Sequence, residues 1–160
     1  MSLHEADATI ADRYDTAAQK LSHPGSAVAD EVRRLRARKV LVVDDDDVIR
    51  EVAKVALEVV GGWHVMTAVN GPDAQRVARD EPPDVVLLDV MMPGMDGPRT
   101  AASFQEDPVT RAIPIVFLTA KVPDRDSMSG SEPNLVGVIA KPFDPMTLAD
   151  EISELLGWRD

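Results

Sequence analysis

Cysteine is absent from this chain of 160 residues. That absence excludes disulfide bonds, zinc sites built on thiolates and cysteine nucleophiles, and it fits a reducing compartment. Long apolar runs are missing too, because stretches such as 85–88 and 115–118 are only four residues long, whereas a membrane helix needs roughly 20. The N-terminal residues include several acids and no apolar run, unlike a secretory signal. We therefore expect no membrane span and a cytoplasmic location.

Basic side chains are the minority among the charged residues. The chain has 17 Lys and Arg against 28 Asp and Glu, which gives a net charge of −11. The excess lies in residues 39–160, which hold 22 acidic and 11 basic side chains, whereas residues 1–38 hold six of each. Because an acidic domain repels the phosphate backbone, we expect no nucleic-acid partner. We interpret the basic cluster at 33–39 as a solvated helix face.

Two short blocks of helical periodicity precede the acidic region. Ile10, Tyr14 and Leu21 lie on one helix face, and a second stripe at 28, 32 and 35 follows the break at 23–25. Each stripe is narrow and needs another surface to be stable in water. We predict an N-terminal helical extension over 1–38 and a separate domain over 39–160. The extension either forms a homodimer through these helices or packs against its own domain.

From residue 39 onward, apolar runs alternate with helical stretches. The runs are rich in β-branched residues, as strands covered on both faces are, and lie at 40–43, 63–67, 85–88, 113–118 and 136–140. Helical faces follow four of them, beginning near 47, 71, 97 and 148. The first is a broad apolar face made of Val48, Ile49, Val52, Ala53, Ala56, Leu57 and Val60. This alternation predicts an α/β fold with a parallel sheet of five buried strands. The segment 121–134 fits a helix poorly because it contains two prolines and a glycine.

Polar residues follow the predicted strands at their carboxyl ends. They are the acidic run 44–47 after the first strand, Asp89 after the third, Thr119 after the fourth and Lys141 after the fifth. Ligands of open parallel sheets bind at this edge. Clustered carboxylates repel one another by about 4 kcal/mol per pair at 4 Å in a medium of intermediate dielectric, so we expect either a cation among them or an uptake of protons. Oxygen ligands without His or Cys favour Mg²⁺, and an aspartate beside a metal and a lysine can accept a phosphoryl group.

The motifs at these positions resemble the response-regulator receiver domain of two-component signalling. They read VVDDD at 42–46, DVVLLDVMMPGMDG at 84–97, FLTA at 117–120 and KPF at 141–143, and the match extends over 39–157. The resemblance implies a flavodoxin-like, five-stranded parallel sheet in the order 2-1-3-4-5, with helices on both faces.

The resemblance also implies a role for each site residue. Asp89 is the expected phosphoacceptor, and Asp44 and Asp45 are expected to hold Mg²⁺ together with the carboxylate of Asp89. The backbone carbonyl of Met91 is expected to complete the metal ligands from the protein. Catalytic roles at the phosphoryl group are expected for two further residues: Thr119, which bonds a phosphoryl oxygen, and Lys141, which pairs with the phosphoryl group. The peptide bond between Lys141 and Pro142 is expected to be cis.

The implied partners are a sensor histidine kinase or a histidine phosphotransfer protein upstream and an unidentified protein target downstream. After the predicted last helix only 157–160 remain, so we expect a single-domain regulator that acts by binding another protein or by passing its phosphoryl group onward in a phosphorelay. Family receivers often have an aromatic residue three positions before the lysine, where this chain has Val138. We therefore hypothesise that phosphorylation orders the segment 122–134 instead of rotating a ring.

Two other functional classes fit the sequence less well. A phosphohydrolase with an aspartate nucleophile would need a second aspartate two residues later, but Met91 stands there. A nucleotide or flavin binder would have glycines after its first strand, where this chain has the acidic run 44–47. Neither alternative accounts for the polar residues at the strand ends, so we do not expect the chain to turn over a separate substrate.

Overall fold

A computed structural model of the chain describes residues 27–28, 37–121 and 134–158. In chain order, its elements are β1 (Lys39–Val43), α1 (Asp47–Val59), β2 (His64–Ala68), α2 (Gly71–Asp80), β3 (Val85–Asp89), α3 (Gly97–Glu106), β4 (Ile115–Thr119), β5 (Leu135–Ala140) and α4 (Leu148–Leu156). The two predicted N-terminal helices and the irregular segment at 122–133 lie outside the described residues, apart from 27–28, so those predictions stay untested.

The five strands form one parallel sheet in the order β2-β1-β3-β4-β5. This order confirms the prediction of a flavodoxin-like sheet. Side chains alternate between its two faces, because successive residues of a strand point to opposite sides. One face packs against α1 and α4 through Leu57 and Ile152, and the other packs against α2 and α3 through Ala78 and Phe104.

The central strands are buried as predicted, but the prediction of five buried strands is wrong at the edges. Every residue of β3 and β4 is buried, and so are the last four residues of β1. In β5, by contrast, Ile139 alone among the six residues is buried, and β2 is only partly covered. Both are edge strands. Each therefore pairs with another strand on one side only, and the helices cover it less completely than they cover the central strands.

The helix starts follow the capping residues in the sequence. Asp46 caps α1 by accepting hydrogen bonds from the amides of Val48 and Ile49 at 2.9 and 3.1 Å, a role that aspartate commonly has at the start of a helix. Asn70 and Asp96 cap α2 and α3 in the same way. Among the described residues, none of the helices combines the length and the apolar character needed to cross a bilayer.

Candidate functional site

The four polar strand ends predicted from the sequence meet at one edge of the sheet. Asp44 follows β1 directly, Asp89 is the last residue of β3, Thr119 is the last of β4, and Lys141 follows β5. Parallel pairing with matched registers brings these ends together: Asp89 lies opposite Leu118 in β4, next to Thr119.

Three carboxylates lie close together in this pocket. One oxygen each from Asp44, Asp45 and Asp89 lies within 4.8 Å of the other two. Asp44 and Asp89 are 0% and 4% exposed, whereas Asp45 is exposed to solvent. The Nζ atom of Lys141 lies 2.8 Å from Oδ2 of Asp44 and 3.1 Å from Oδ1 of Asp89. A single ammonium group therefore pairs with both buried carboxylates.

The loop after β3 holds Asp89 in place through backbone contacts. Its first turn uses Pro93 and Gly94, and Gly94 has a φ of 78°, a conformation that glycine adopts readily. Further on, Gly97 begins α3 against the strand end, so close that a Cβ atom there would lie 2.7 Å from the carbonyl oxygen of Asp89. The amide of Met91 donates to Oδ1 of Asp89 at 3.3 Å, and the Met91 side chain is 71% exposed.

Lys141 reaches the pocket from the loop after β5. Its amide donates to the carbonyl of Thr119 at 2.8 Å, which continues the pairing of β4 with β5 beyond the last strand residue. The peptide bond between Lys141 and Pro142 is cis, as expected from the resemblance. The lysine side chain is 14% exposed, so its charge is directed into the pocket rather than into solvent.

Burial and charge repulsion set the protonation of the pocket. Burial, and next the negative charge of Asp44, raises the pKa of Asp89 from 3.8 to about 6, against the opposing effect of Lys141. Burial also disfavours the charge of Lys141, but its close contacts and charge interactions with Asp44 and Asp89 outweigh this cost and raise its pKa above the ordinary value. The pocket thus holds more negative charge than one lysine balances.

Thr119 lies at the same edge, but its hydroxyl contacts the following loop. The hydroxyl donates to the carbonyl of Lys121 at 2.9 Å and accepts from the Lys121 amide at 3.2 Å. The side chain is 2% exposed. Bonding to a group on Asp89 would require the hydroxyl to exchange these contacts.

Comparison with known proteins identifies the family. A model of the response regulator receiver domain matches residues 40–153 of the chain. The chain belongs to the response-regulator receiver family. Phosphorylation and Mg²⁺ binding are features of this family, and its members are signalling domains that generally do not turn over a substrate.

Individual relatives cover the receiver domain and differ in what surrounds it. The phosphate regulon regulator PhoB of Pseudomonas aeruginosa is 38% identical over 119 residues, 74% of this chain and 52% of PhoB. PilH of the same organism is 35% identical over 74% of this chain and 97% of PilH. The structure of the chemotaxis protein CheY4 of Vibrio cholerae matches with a TM-score of 0.68 at 30% identity, covering 74% of this chain and 98% of CheY4. The chain thus spans about half of PhoB and nearly all of PilH.

The donor atoms of the receiver domain fit a hard divalent cation. All three side chains in the cluster offer carboxylate oxygens, which Mg²⁺ prefers. Within the described part of the chain, the buried Oδ2 atom of Asp44 makes no hydrogen bond of normal geometry, although the ammonium of Lys141 lies close to it. A buried carboxylate oxygen with one ionic neighbour and no further donor can accept a cation.

Two features of the receiver domain were missed in the sequence. The guanidinium of Arg50 donates to the carbonyl of Asp44 at 2.7 Å, and its position in the first turn of α1, six residues after the aspartate, was the available signal. An apolar groove of about 400 Å³ also adjoins Lys141. Its lining includes Val48, Val52 and Phe143. The apolar face predicted for α1 contained both valines, but periodicity alone did not show that they stay exposed.

Proposed function

We propose that this receiver domain accepts a phosphoryl group on Asp89 in the presence of Mg²⁺ and signals through binding to another protein. The observation that supports this most strongly is the position of Asp89: a buried carboxylate within 4.8 Å of two other carboxylates and 3.1 Å from Lys141. An aspartate in this setting can attack phosphorus and form an acyl phosphate.

Each residue of the pocket has a defined part in this proposal. Asp44, Asp45 and Asp89, with the backbone carbonyl of Met91, would hold Mg²⁺, which would supply positive charge beside the transferring group. Lys141 keeps its ammonium within reach of Asp89 and would pair with a phosphoryl oxygen. Thr119 would donate its hydroxyl to another phosphoryl oxygen after giving up its bonds to the following loop.

Intact mass tests the phosphoacceptor directly. Incubation with acetyl phosphate and Mg²⁺ should add about 80 Da to the wild-type chain, the mass of one phosphoryl group. Asp89→Asn should gain nothing. Asp84→Asn is the matched control, because Asp84 precedes the same strand at its opposite end and is exposed, and it should gain the same mass as the wild type. A gain in Asp89→Asn would contradict the assignment.

The partner surface follows from the position of the apolar groove. A protein that delivers a phosphoryl group to Asp89 must cover the mouth of the pocket, and there the groove presents Val48, 70% exposed, and Val52, 39% exposed. Exposed apolar area beside polar side chains is typical of protein interaction sites. We propose that a sensor histidine kinase or a histidine phosphotransfer protein binds here.

Two substitutions at opposite ends of α1 separate binding from chemistry. Val48→Glu should slow phosphoryl transfer from a histidine phosphotransfer protein at least about tenfold and leave labelling by acetyl phosphate unchanged. Val59→Glu is the control, because Val59 is 76% exposed on the same helix but away from the pocket. Equal transfer rates in both variants would contradict the proposed surface.

The residues around Asp89 do not favour a phosphohydrolase. Such an enzyme needs an acid two residues after its nucleophile, and that residue here is Met91, which is 71% exposed and has no acidic group. We also propose a cytoplasmic location and a homodimer through the N-terminal helices. Sedimentation of the full chain with Leu21→Glu tests the homodimer, since a charge in the predicted apolar stripe should shift the chain to monomer.

A further inference from the structure

Arg50 makes its contacts inside the acidic turn rather than in solvent. It lies in the first turn of α1, and its side chain is 17% exposed. One arm of the guanidinium donates to the backbone carbonyl of Asp44 at 2.7 Å. The other arm pairs with the carboxylate of Asp47. The planar fork of arginine suits two acceptors in a fixed arrangement, so Arg50 ties the end of β1 to the start of α1.

With Arg50 in place, every polar group of Asp44 has a neighbour. The amide donates to the carbonyl of Ala68 at 3.3 Å, Oδ1 accepts from the amide of Asp46 at 2.9 Å, and Oδ2 lies 2.8 Å from Nζ of Lys141. The carbonyl is held by Arg50. Because the carbonyl of Asp44 and the amide of Asp45 belong to one rigid peptide plane, the same contact fixes the direction in which Asp45 leaves the strand.

We propose that Arg50 is a positioning residue for the metal site, which holds Asp44 and Asp45 in the arrangement that Mg²⁺ requires. The inference rests on the proposed function, since it assumes that these carboxylates bind Mg²⁺. It assigns to Arg50 no contact with the ion or with the phosphoryl group. Loss of a contact that orients a metal ligand typically weakens metal affinity by about 10- to 100-fold.

Charge alone predicts the opposite effect of removing Arg50. A guanidinium beside an acidic pocket repels a divalent cation, so its loss should strengthen Mg²⁺ binding if charge decides. Loss of the contact to Asp44 should weaken binding if orientation decides. The ion pair with Asp47 reduces the repulsive effect of Arg50, which favours orientation. The sign of the change in affinity therefore distinguishes the two explanations.

Calorimetric titration with Mg²⁺ on the full chain tests the proposal. Arg50→Met should weaken Mg²⁺ affinity about tenfold. Arg50→Lys keeps the positive charge but lacks the planar fork, so its Mg²⁺ affinity should lie between those of Arg50→Met and the wild type. Lys54→Met is the matched control, because Lys54 has the same charge one turn further along α1. The Mg²⁺ affinity of this variant should equal that of the wild type or be slightly higher. An equal or tighter affinity in Arg50→Met would overturn the proposal.

A second readout needs no metal. The amide of Asp46 donates to Oδ1 of Asp44. If Arg50→Met loosens the positioning of Asp44, hydrogen exchange at the Asp46 amide should become at least about fivefold faster. Amides in β3 should keep their wild-type protection, which shows that the fold is intact. Unchanged exchange at Asp46 in Arg50→Met would overturn the proposal even if Mg²⁺ affinity fell. A wild-type chain that binds no Mg²⁺ would overturn the metal part of the proposed function and this inference with it.

Discussion

Asp89→Asn should make the folded protein more stable at neutral pH in the absence of Mg²⁺. The wild-type carboxylate is ionised there although it is buried and lies beside Asp44, and these two causes raise its pKa from 3.8 to about 6. Each unit of such a shift corresponds to about 1.4 kcal/mol, so the upper limit of the gain is about 3 kcal/mol. Because water reaches the mouth of the pocket and screens the charges, we expect about 1–3 kcal/mol.

The pH dependence of this gain has a defined sign. A raised pKa in the folded state means that the folded protein binds a proton more readily than the unfolded chain between pH 3.8 and about 6. The contribution of Asp89 to the stability of the wild type is therefore largest below that window and is lost as the pH rises through it. Asparagine does not titrate, so its advantage should be complete at pH 7.5 and shrink to about a third at pH 4.5.

Urea unfolding followed by tryptophan fluorescence measures the difference. Trp63 and Trp158 lie edge to face with their ring centroids 5.3 Å apart. Neither is a sequence neighbour of Asp89, so their fluorescence reports global unfolding. Chelator is present in one series and Mg²⁺ in a second. Mg²⁺ should stabilise the wild type more than Asp89→Asn, because the variant lacks one carboxylate. The difference in unfolding free energy between the two proteins should therefore be smaller with Mg²⁺ than with chelator.

The matched control for this measurement is again Asp84→Asn. Asp84 accepts a hydrogen bond from the amide of Lys39 at 2.7 Å at the opposite end of the strand, so its loss should lower stability slightly at both pH values. The reasoning would be refuted if Asp89→Asn and the wild type unfolded at the same urea concentration at pH 7.5. A gap of equal size at pH 4.5 would refute the role of ionisation.

Three further substitutions test other parts of the fold and the pocket. Lys141→Met should lower stability by about 3 kcal/mol in urea unfolding without Mg²⁺, because it leaves the carboxylates of Asp44 and Asp89 buried without their cation; an unchanged midpoint would contradict this. Gly97→Ala should lower stability by about 1–3 kcal/mol and slow labelling by acetyl phosphate, since its Cβ would lie 2.7 Å from a backbone oxygen. Asp46→Ala should lower the free energy of unfolding by about 1 kcal/mol, because it removes the cap of α1. Urea unfolding measures this loss, and a stability equal to that of the wild type would contradict it.

The central strands and the site could be predicted because their signals are local. A strand covered on both faces is continuously apolar, and the polar residue that ends it stands next to it in the sequence, as in β3 with Asp89. The exposure of β5 could not be predicted in this way. Val136, Val138 and Ile139 are as apolar as residues of a central strand, yet only Ile139 is buried, because the edge position depends on the order of all five strands.

The first helix shows the same limit for helical patterns. Its apolar residues predict a broad buried face, but the sheet and α4 cover only part of it: Ala53 and Leu57 are buried, whereas Val48 and Val60 are 70% and 42% exposed. A helical pattern shows that side chains share a face, but the width that neighbouring elements cover depends on their spacing. The exposed remainder is then available to a partner, which composition alone could not indicate.

The stability cost at Asp89 and the proposed activity have one physical origin. Three carboxylates and one ammonium leave the pocket with a charge of about −2 when all are ionised, and in the chain alone this excess destabilises the fold. The same excess attracts a divalent cation. An asparagine at position 89 would remove both the cost and the site for phosphorylation, so a more stable variant that cannot be phosphorylated is the expected result of relieving the repulsion. A variant that gained stability and still accepted a phosphoryl group at this position would separate the two and contradict their common origin.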